Sequence, residues 1–213
     1  MQNKFEILQM PPENTNSVLV SNGGACVIFD AWGRADDWIK MLDSRGLRPV
    51  AIYSTHGHPD HISAAPQLAA HYGVDWYLHA ADWNLLGWGG EILDYFGVPR
   101  MSGGPKPCDI EIGDAEPLPN LHMRVIGAPG HSAGGVMFYF MNDGLLLTGD
   151  TLFANGIGRY DLPGANPVAL QKSIADIYNM NFPDNTITIH GHGAPSTIGK
   201  LKHENPYFAN IKK

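Results

Sequence analysis

Six consecutive residues, His56-Gly57-His58-Pro59-Asp60-His61, hold three imidazoles and one carboxylate. Imidazole and carboxylate donors without a thiolate suit Zn(II), and equally Fe(II) or Mn(II). In an extended segment alternate side chains share a side, so His56 and His58 point one way while Asp60 and His61 can turn the other. One run can therefore divide between two ions. A solvated His-rich turn would account for the run by itself, but it predicts no matching donors elsewhere. Three are present: His131 in Pro129-Gly130-His131, Asp150 in Gly149-Asp150-Thr151, and His192 in Gly191-His192-Gly193. His190 stands two residues from His192 and competes with it as a donor. His71, His79, His122 and His203 lack donor-like neighbours, although His203 lies in a C-terminal segment that can reach a pocket.

Positioning these groups is a task for strand ends. Each cluster follows an apolar, strand-like run: Val50–Tyr53 before His56, Val125–Ile126 before His131, Leu145–Leu147 before Asp150, and Ile187–Ile189 before His192. Ends of several strands converge on one rim of a sheet, where α/β folds place their sites. Val18–Val20 and Ala25–Phe29, separated by Ser21-Asn22-Gly23-Gly24, read as a hairpin. Helical spacing runs from Asp36 to Arg45 and from Ile62 to Tyr72, with Gly46 and Gly73 as stop signals. Val74–Leu78 and Val136–Phe140 are further strands, and Pro167–Tyr178 is a helix with proline near its start. The alternation of helix and strand gives the fold class α/β, in one domain over residues 1–213. The stretch 80–107, with Trp83, Trp88, Tyr95 and Phe96 among several glycines, reads either as a cover over the site or as an aromatic packing arm.

Composition narrows the functional classes. Hydrophobic residues make up 44% of the 213, ample for a buried core, and the formal charge of −7 opposes a broad nucleic-acid surface. The start, Met1-Gln2-Asn3-Lys4-Phe5-Glu6, lacks the basic and apolar segments of a signal peptide, and no run approaches the ~18 apolar residues of a membrane span. The expectation is a cytoplasmic protein that binds neither nucleic acid nor membrane. Cys26 and Cys108 sit in no recognisable nucleophile context and read as structural.

The order and spacing of these motifs resemble the metallo-β-lactamase superfamily, at the H-x-H-x-D-H run, Pro129-Gly130-His131, Gly149-Asp150-Thr151 and Gly191-His192-Gly193. Within it the chain is most similar to the short glyoxalase II-like (hydroxyacylglutathione hydrolase-like) hydrolases. That closer likeness lies in residues 156–164, residues 193–199 and Asn205-Pro206-Tyr207-Phe208. The resemblance implies a four-layered αβ/βα sandwich with the site at one edge of two sheets. It puts His56, His58 and His131 on one divalent ion and Asp60, His61 and His192 on a second, with Asp150 bridging and His190 outside the ligand set. A bridge suits Asp150, because a carboxylate has two oxygens and can span two cations. Arg159 is a candidate for steering an anionic substrate, or for an ion pair with Asp161 at the mouth.

Two ions of this kind, Zn(II) first and Fe(II) or Mn(II) as alternatives, lower the pKa of a shared water towards neutrality and polarise a carbonyl. Asp60 is placed to aim the resulting hydroxide. A thioester suits such a centre, because an ordinary thiol near pKa 8.5 is a good leaving group. The resemblance implies hydrolysis of a small-molecule thioester, S-hydroxyacyl-glutathione such as S-lactoylglutathione. Full-length glyoxalase II enzymes carry a C-terminal helical domain that binds glutathione, whereas this chain ends about twenty residues after His192. A hydrolase of another small ester or thioester is therefore an alternative. So is a persulfide dioxygenase-like enzyme, which uses one Fe(II) and O₂ on the same fold. Oligomeric state is left open.

Overall fold

A computed structural model describes residues 3–12, 15–101 and 104–211. Ser102 and Gly103, within the aromatic stretch, lie outside the described residues, as do the terminal residues 1, 2, 212 and 213.

The first sheet runs β1 (Lys4–Gln9), β2 (Asn16–Asn22), β3 (Ala25–Phe29), β4 (Arg48–Tyr53) and β5 (Trp76–Tyr77), in that spatial order. Its first three strands are antiparallel and the last two pairings parallel. Helix α1 (Ala35–Ser44) crosses from β3 to β4. A one-turn helix α2 (Pro59–Ile62) and then α3 (Ala65–Tyr72) lead to β5. The second sheet has the order β11 (Ser196–Thr197), β10 (Ile187–His190), β9 (Leu145–Gly149), β8 (Val136–Phe140), β7 (Met123–Gly127) and β6 (Gly113–Ala115). Between the sheets in sequence lie a 3-10 turn at Ala80–Leu85 and α4 (Gly90–Tyr95). Helices α5 (Pro167–Asn179), α6 (Ile198–Glu204) and α7 (Pro206–Ala209) complete the chain.

Strand periodicity of two builds the layers. On β2, Val18 and Val20 face the second sheet while Leu19 faces the helices, and Val27 and Ile28 divide likewise on β3. The inter-sheet core joins Val18, Val20, Phe29 and Tyr53 to Val125, Phe138, Phe140 and Leu147. Outside the first sheet, Leu19, Ile28 and Ile52 pack on Trp38, Leu42 and Leu68 of α1 and α3. Outside the second, Ile126, Met137 and Leu146 pack on Leu170, Ile174, Leu201 and Phe208. Helix, sheet, sheet and helix make the four-layered αβ/βα sandwich.

Differences from the sequence reading are local. The predicted helix from Ile62 to Tyr72 is split and starts earlier, because Pro66 lacks the N–H that would bond the Ile62 carbonyl. Strand β1 was not anticipated. It is an edge strand whose residues are all exposed or half-buried, so its apolar signal is weak. The short β6, β11, α6 and α7 also lacked a periodic signal. Among the described residues no helix is long and apolar enough to cross a membrane.

Candidate metal centre

The seven candidate donors meet on one rim. After β4 ends at Tyr53, the chain runs through His56 and His58 into α2, which carries Asp60 and His61. His131 follows β7, Asp150 follows β9 directly, and His192 follows β10. Backbone bonds tie the sheets together there: Val136 N donates to Thr55 O at 2.8 Å, and Asn16 N to Gly191 O at 2.7 Å. Residue 191 has to be glycine. A Cβ there would run into Asp150 Oδ1 and stand 2.7 Å from the His61 ring.

Ligand atoms of His56, His58 and His131 lie within 4.8 Å of one another, as do those of Asp60, His61 and His192, and those of His56, His61 and Asp150. Asp150 Oδ1 is 3.5 Å from His61 Nε2, and its Oδ2 is 3.6 Å from His131 Nε2 and 3.5 Å from His192 Nε2. Asp60 Oδ2 is 3.2 Å from His192 Nε2 and 3.7 Å from His61 Nε2. Most of these separations are long for hydrogen bonds. They match two ligands about 2.0–2.2 Å from one small cation.

The Nε2 atoms of His56, His58, His61 and His131 and the Oδ1 of Asp150 are buried and find no hydrogen-bonding partner among the described residues. Each such orphan costs about 1–3 kcal/mol when nothing satisfies it. Five converging on one point are what a cation site requires. On three of these rings the other nitrogen is engaged. His56 Nδ1 is 3.0 Å from Thr55 Oγ1, His61 Nδ1 is 3.0 Å from Asp30 Oδ2, and His131 Nδ1 is 2.7 Å from Arg159 O. Such contacts fix ring orientation at metal sites.

Charge is arranged to suit. Burial, with the neighbouring imidazoles, pushes His56 well below its ordinary pKa and His58 down to about 4, so both are neutral donors. Burial opposes ionisation of Asp60 and Asp150, but His61 and His192 outweigh it and hold both carboxyls below the usual range. Burial also opposes the imidazolium of His61 and of His192. Asp30, Asp60 and Asp150 nonetheless raise His61 to about 9, and Asp150 and Asp60 raise His192 to about 10. A cation entering the centre has those protons to displace.

Three supporting residues escaped the sequence reading. Asp30, at φ 53 just past β3, accepts Thr55 N at 2.7 Å and Thr55 Oγ1 at 2.9 Å and contacts His61. Asp82, fully buried in the 3-10 turn, accepts Gly57 N at 2.9 Å, Ser132 Oγ at 2.7 Å and Gly134 N at 2.6 Å. It thus joins the His56–His58 loop to the His131 loop. Asn16 Nδ2 donates to His190 O at 2.9 Å and Gly193 O at 2.7 Å, bracketing His192. Asp30 carried a readable signal, since it follows an apolar strand just as the other site residues do.

His190 is buried outside the cluster, its Nδ1 on Leu152 O at 2.6 Å. His203 is exposed on α6 and does not line the cleft. Arg159 stands at the mouth, forked onto Asp161 with both contacts at 2.9 Å. A cleft of about 450 Å³ opens over the donors, walled by Trp88, Ile92 and Phe96 from the 80–107 stretch and by Phe153, Ile157 and Leu162 opposite. A second cavity, about 560 Å³, lies beside α5 and α7 and holds none of the candidate donors. Convergent donors, not size, mark the site.

A family model described as the metallo-beta-lactamase superfamily matches residues 10–198. The chain belongs to the metallo-β-lactamase superfamily. It is 32% identical to "Probable metallo-hydrolase YqgX" of Bacillus subtilis, over 96% of this chain and 97% of that one. It is 33% identical to "Hydroxyacylglutathione hydrolase GloC" of Haemophilus influenzae, over 85% and 86%. Among solved structures, BLEG-1, a B3 metallo-beta-lactamase, superposes with a TM-score of 0.84 at 30% identity, covering 97% of this chain and 100% of that one. TTHA1623 in a di-iron-bound form does so at 0.83 and 31%, covering 95% and 99%. The chain is thus a member of this superfamily with a His-rich candidate metal site.

Proposed function

We propose that this protein is a dinuclear metal-dependent thioester hydrolase acting on a small-molecule substrate in the cytoplasm. His56, His58 and His131 would hold one divalent ion, Asp60, His61 and His192 the other, and Asp150 both. The observation that carries this reading is the convergence of buried, unpartnered imidazole nitrogens on the Asp150 carboxylate, whose Oδ1 is likewise buried without a partner. The donor set accepts Zn(II), Fe(II) or Mn(II), and the di-iron form of TTHA1623 supports iron as readily as zinc. When bound, two such ions supply an activated water and polarise a carbonyl.

The protein's own contributions follow from its geometry. Asp60 is half-buried at the cleft floor and held as a carboxylate, so it can accept a hydrogen bond from the attacking water and aim it. Asp30, Thr55 and the Arg159 carbonyl orient the rings, and the apolar walls keep bulk water from the reacting carbonyl. A thioester's leaving thiolate needs no strong general acid. S-lactoylglutathione, an S-hydroxyacyl-glutathione, is the first substrate to assay, supported by the name of the Haemophilus relative.

The test is elemental analysis of the purified protein beside S-lactoylglutathione hydrolysis, with O₂ recorded in parallel. The expected result is two ions per chain and thioester cleavage without O₂ uptake, with Asp150→Ala losing both. Full activity and two ions in Asp150→Ala, or O₂ consumption in place of hydrolysis, would overturn it.

A further inference from the structure

The walls of the cleft speak to what the substrate carries on either side of its thioester. Besides the candidate donors, Arg159 is the one charged side chain among the described residues of the lining. Its guanidinium is already matched by the two-point contact to Asp161. Glutathione brings two carboxylates and an ammonium, and the cleft offers no unmatched side-chain charge to meet them. What it offers is apolar surface at both ends of the floor. Trp88 lies 5.3 Å from the His58 ring, at the end of the first donor group. Phe153 lies 6.3 Å from the His192 ring, at the end of the second.

The Trp88 wall is built in place. Gly89, at φ 71, presses against the metal-site helix so closely that a Cβ would stand 2.7 Å from Pro59 Cγ. Behind it, Leu93 and Val98 are buried on Trp32, Phe96 packs edge-on to the same ring while also lining the cleft, and Ile92 lines the cleft beside it. Burial of Leu93 and Val98 anchors the arm, so its apolar face is presented to a ligand at no further ordering cost.

We infer that the cleft selects an apolar acyl thioester, with a medium-length alkyl or aryl acyl group, and gains little from the charges of a glutathione leaving group. This inference rests on the thioester-hydrolase reading and names its substrate class. Each methylene buried against the walls is worth about fourfold in kcat/KM, from ~0.8 kcal/mol per CH₂.

The experiment uses the protein loaded with two ions and measures kcat/KM for the acetyl, butanoyl and hexanoyl thioesters of N-acetylcysteamine, beside S-lactoylglutathione. The expected result is a series that rises about fourfold per methylene, with the hexanoyl ester more than tenfold better than S-lactoylglutathione. Trp88→Ala flattens the rise while metal content stays at two, and Phe153→Ala gives the same readout from the opposite wall should Trp88→Ala lose its metal. A flat or falling series with S-lactoylglutathione turned over overturns this inference and leaves the thioesterase reading standing. No turnover of any thioester by the two-ion protein overturns both.

Discussion

Asp82 gives the sharpest test of how the centre is held together. Its carboxylate is fully buried and takes three donors, two from backbone N–H groups at Gly57 and Gly134 and one from the Ser132 hydroxyl. Asp82→Asn replaces one of the two accepting oxygens by an NH₂ group. The Ser132 hydroxyl can rotate to accept from it, but a backbone N–H cannot, so either Gly57 N–H or Gly134 N–H is left buried without an acceptor. That costs about 1–3 kcal/mol. Asp82→Ala strands all three donors at about 3–9 kcal/mol, a large part of the ~5–15 kcal/mol that holds a domain folded, so asparagine is the informative change. Because Asp82 joins the loops of His56, His58 and His131, the damage should fall on one ion. Urea unfolding of the metal-free protein should show the loss of stability. Metal titration should show the first ion weakened about 10–100-fold, the range for residues that orient ligands, with the Asp60–His61–His192 ion little changed. Unchanged stability, or equal weakening of both ions, would refute this account of Asp82.

Other outcomes can be read as directly. Asn16→Ala removes both side-chain bonds that bracket His192 and leaves the His190 and Gly193 carbonyls short of a donor. A stability loss of about 1–3 kcal/mol is expected, with weaker binding of the His192 ion in the same titration. With a thiol reagent at pH 8, one cysteine per native chain should react, the exposed Cys108, because burial pushes the Cys26 thiol up to about 12. Two fast-reacting thiols in the native protein would contradict the packing of Cys26. Metal-free protein should lose stability as pH rises from about 6.5 to about 9. His61 titrates near 9 in the fold against ~6.5 in an unfolded chain, so its contribution is full below 6.5 and gone once the folded group deprotonates. Below pH 6.5, neutral His56 and His58 act with the opposite sign. Unfolding in chelator across this range checks the direction, and stability that climbs from pH 6.5 to 9 would be the wrong sign.

What was legible in the sequence, and what was not, separates by the kind of atom that gives a residue its meaning. His56, His58, His131, Asp150 and His192 could be read because a donor type just past an apolar run carries its own positional rule: strand ends share a rim. The layers were not legible in this way: β2 and β3 are buried on both faces, so residue type does not say which side meets which neighbour, and the four-layered sandwich is what the family resemblance implies. Asp82 carries no such rule. Two of its three partners are backbone N–H groups 25 and 52 residues away, and a backbone donor leaves no trace in residue type. Asn16 is more extreme, reaching carbonyls 174 and 177 residues distant. The aromatic stretch was ambiguous because one helical turn does both jobs. On α4 and its flank, Leu93 and Val98 bury against Trp32, Ile92 lines the cleft, and Phe96 touches both. A packing arm and a cleft wall are therefore not alternatives here: the buried face of the arm is what fixes the exposed one over the candidate-site helix.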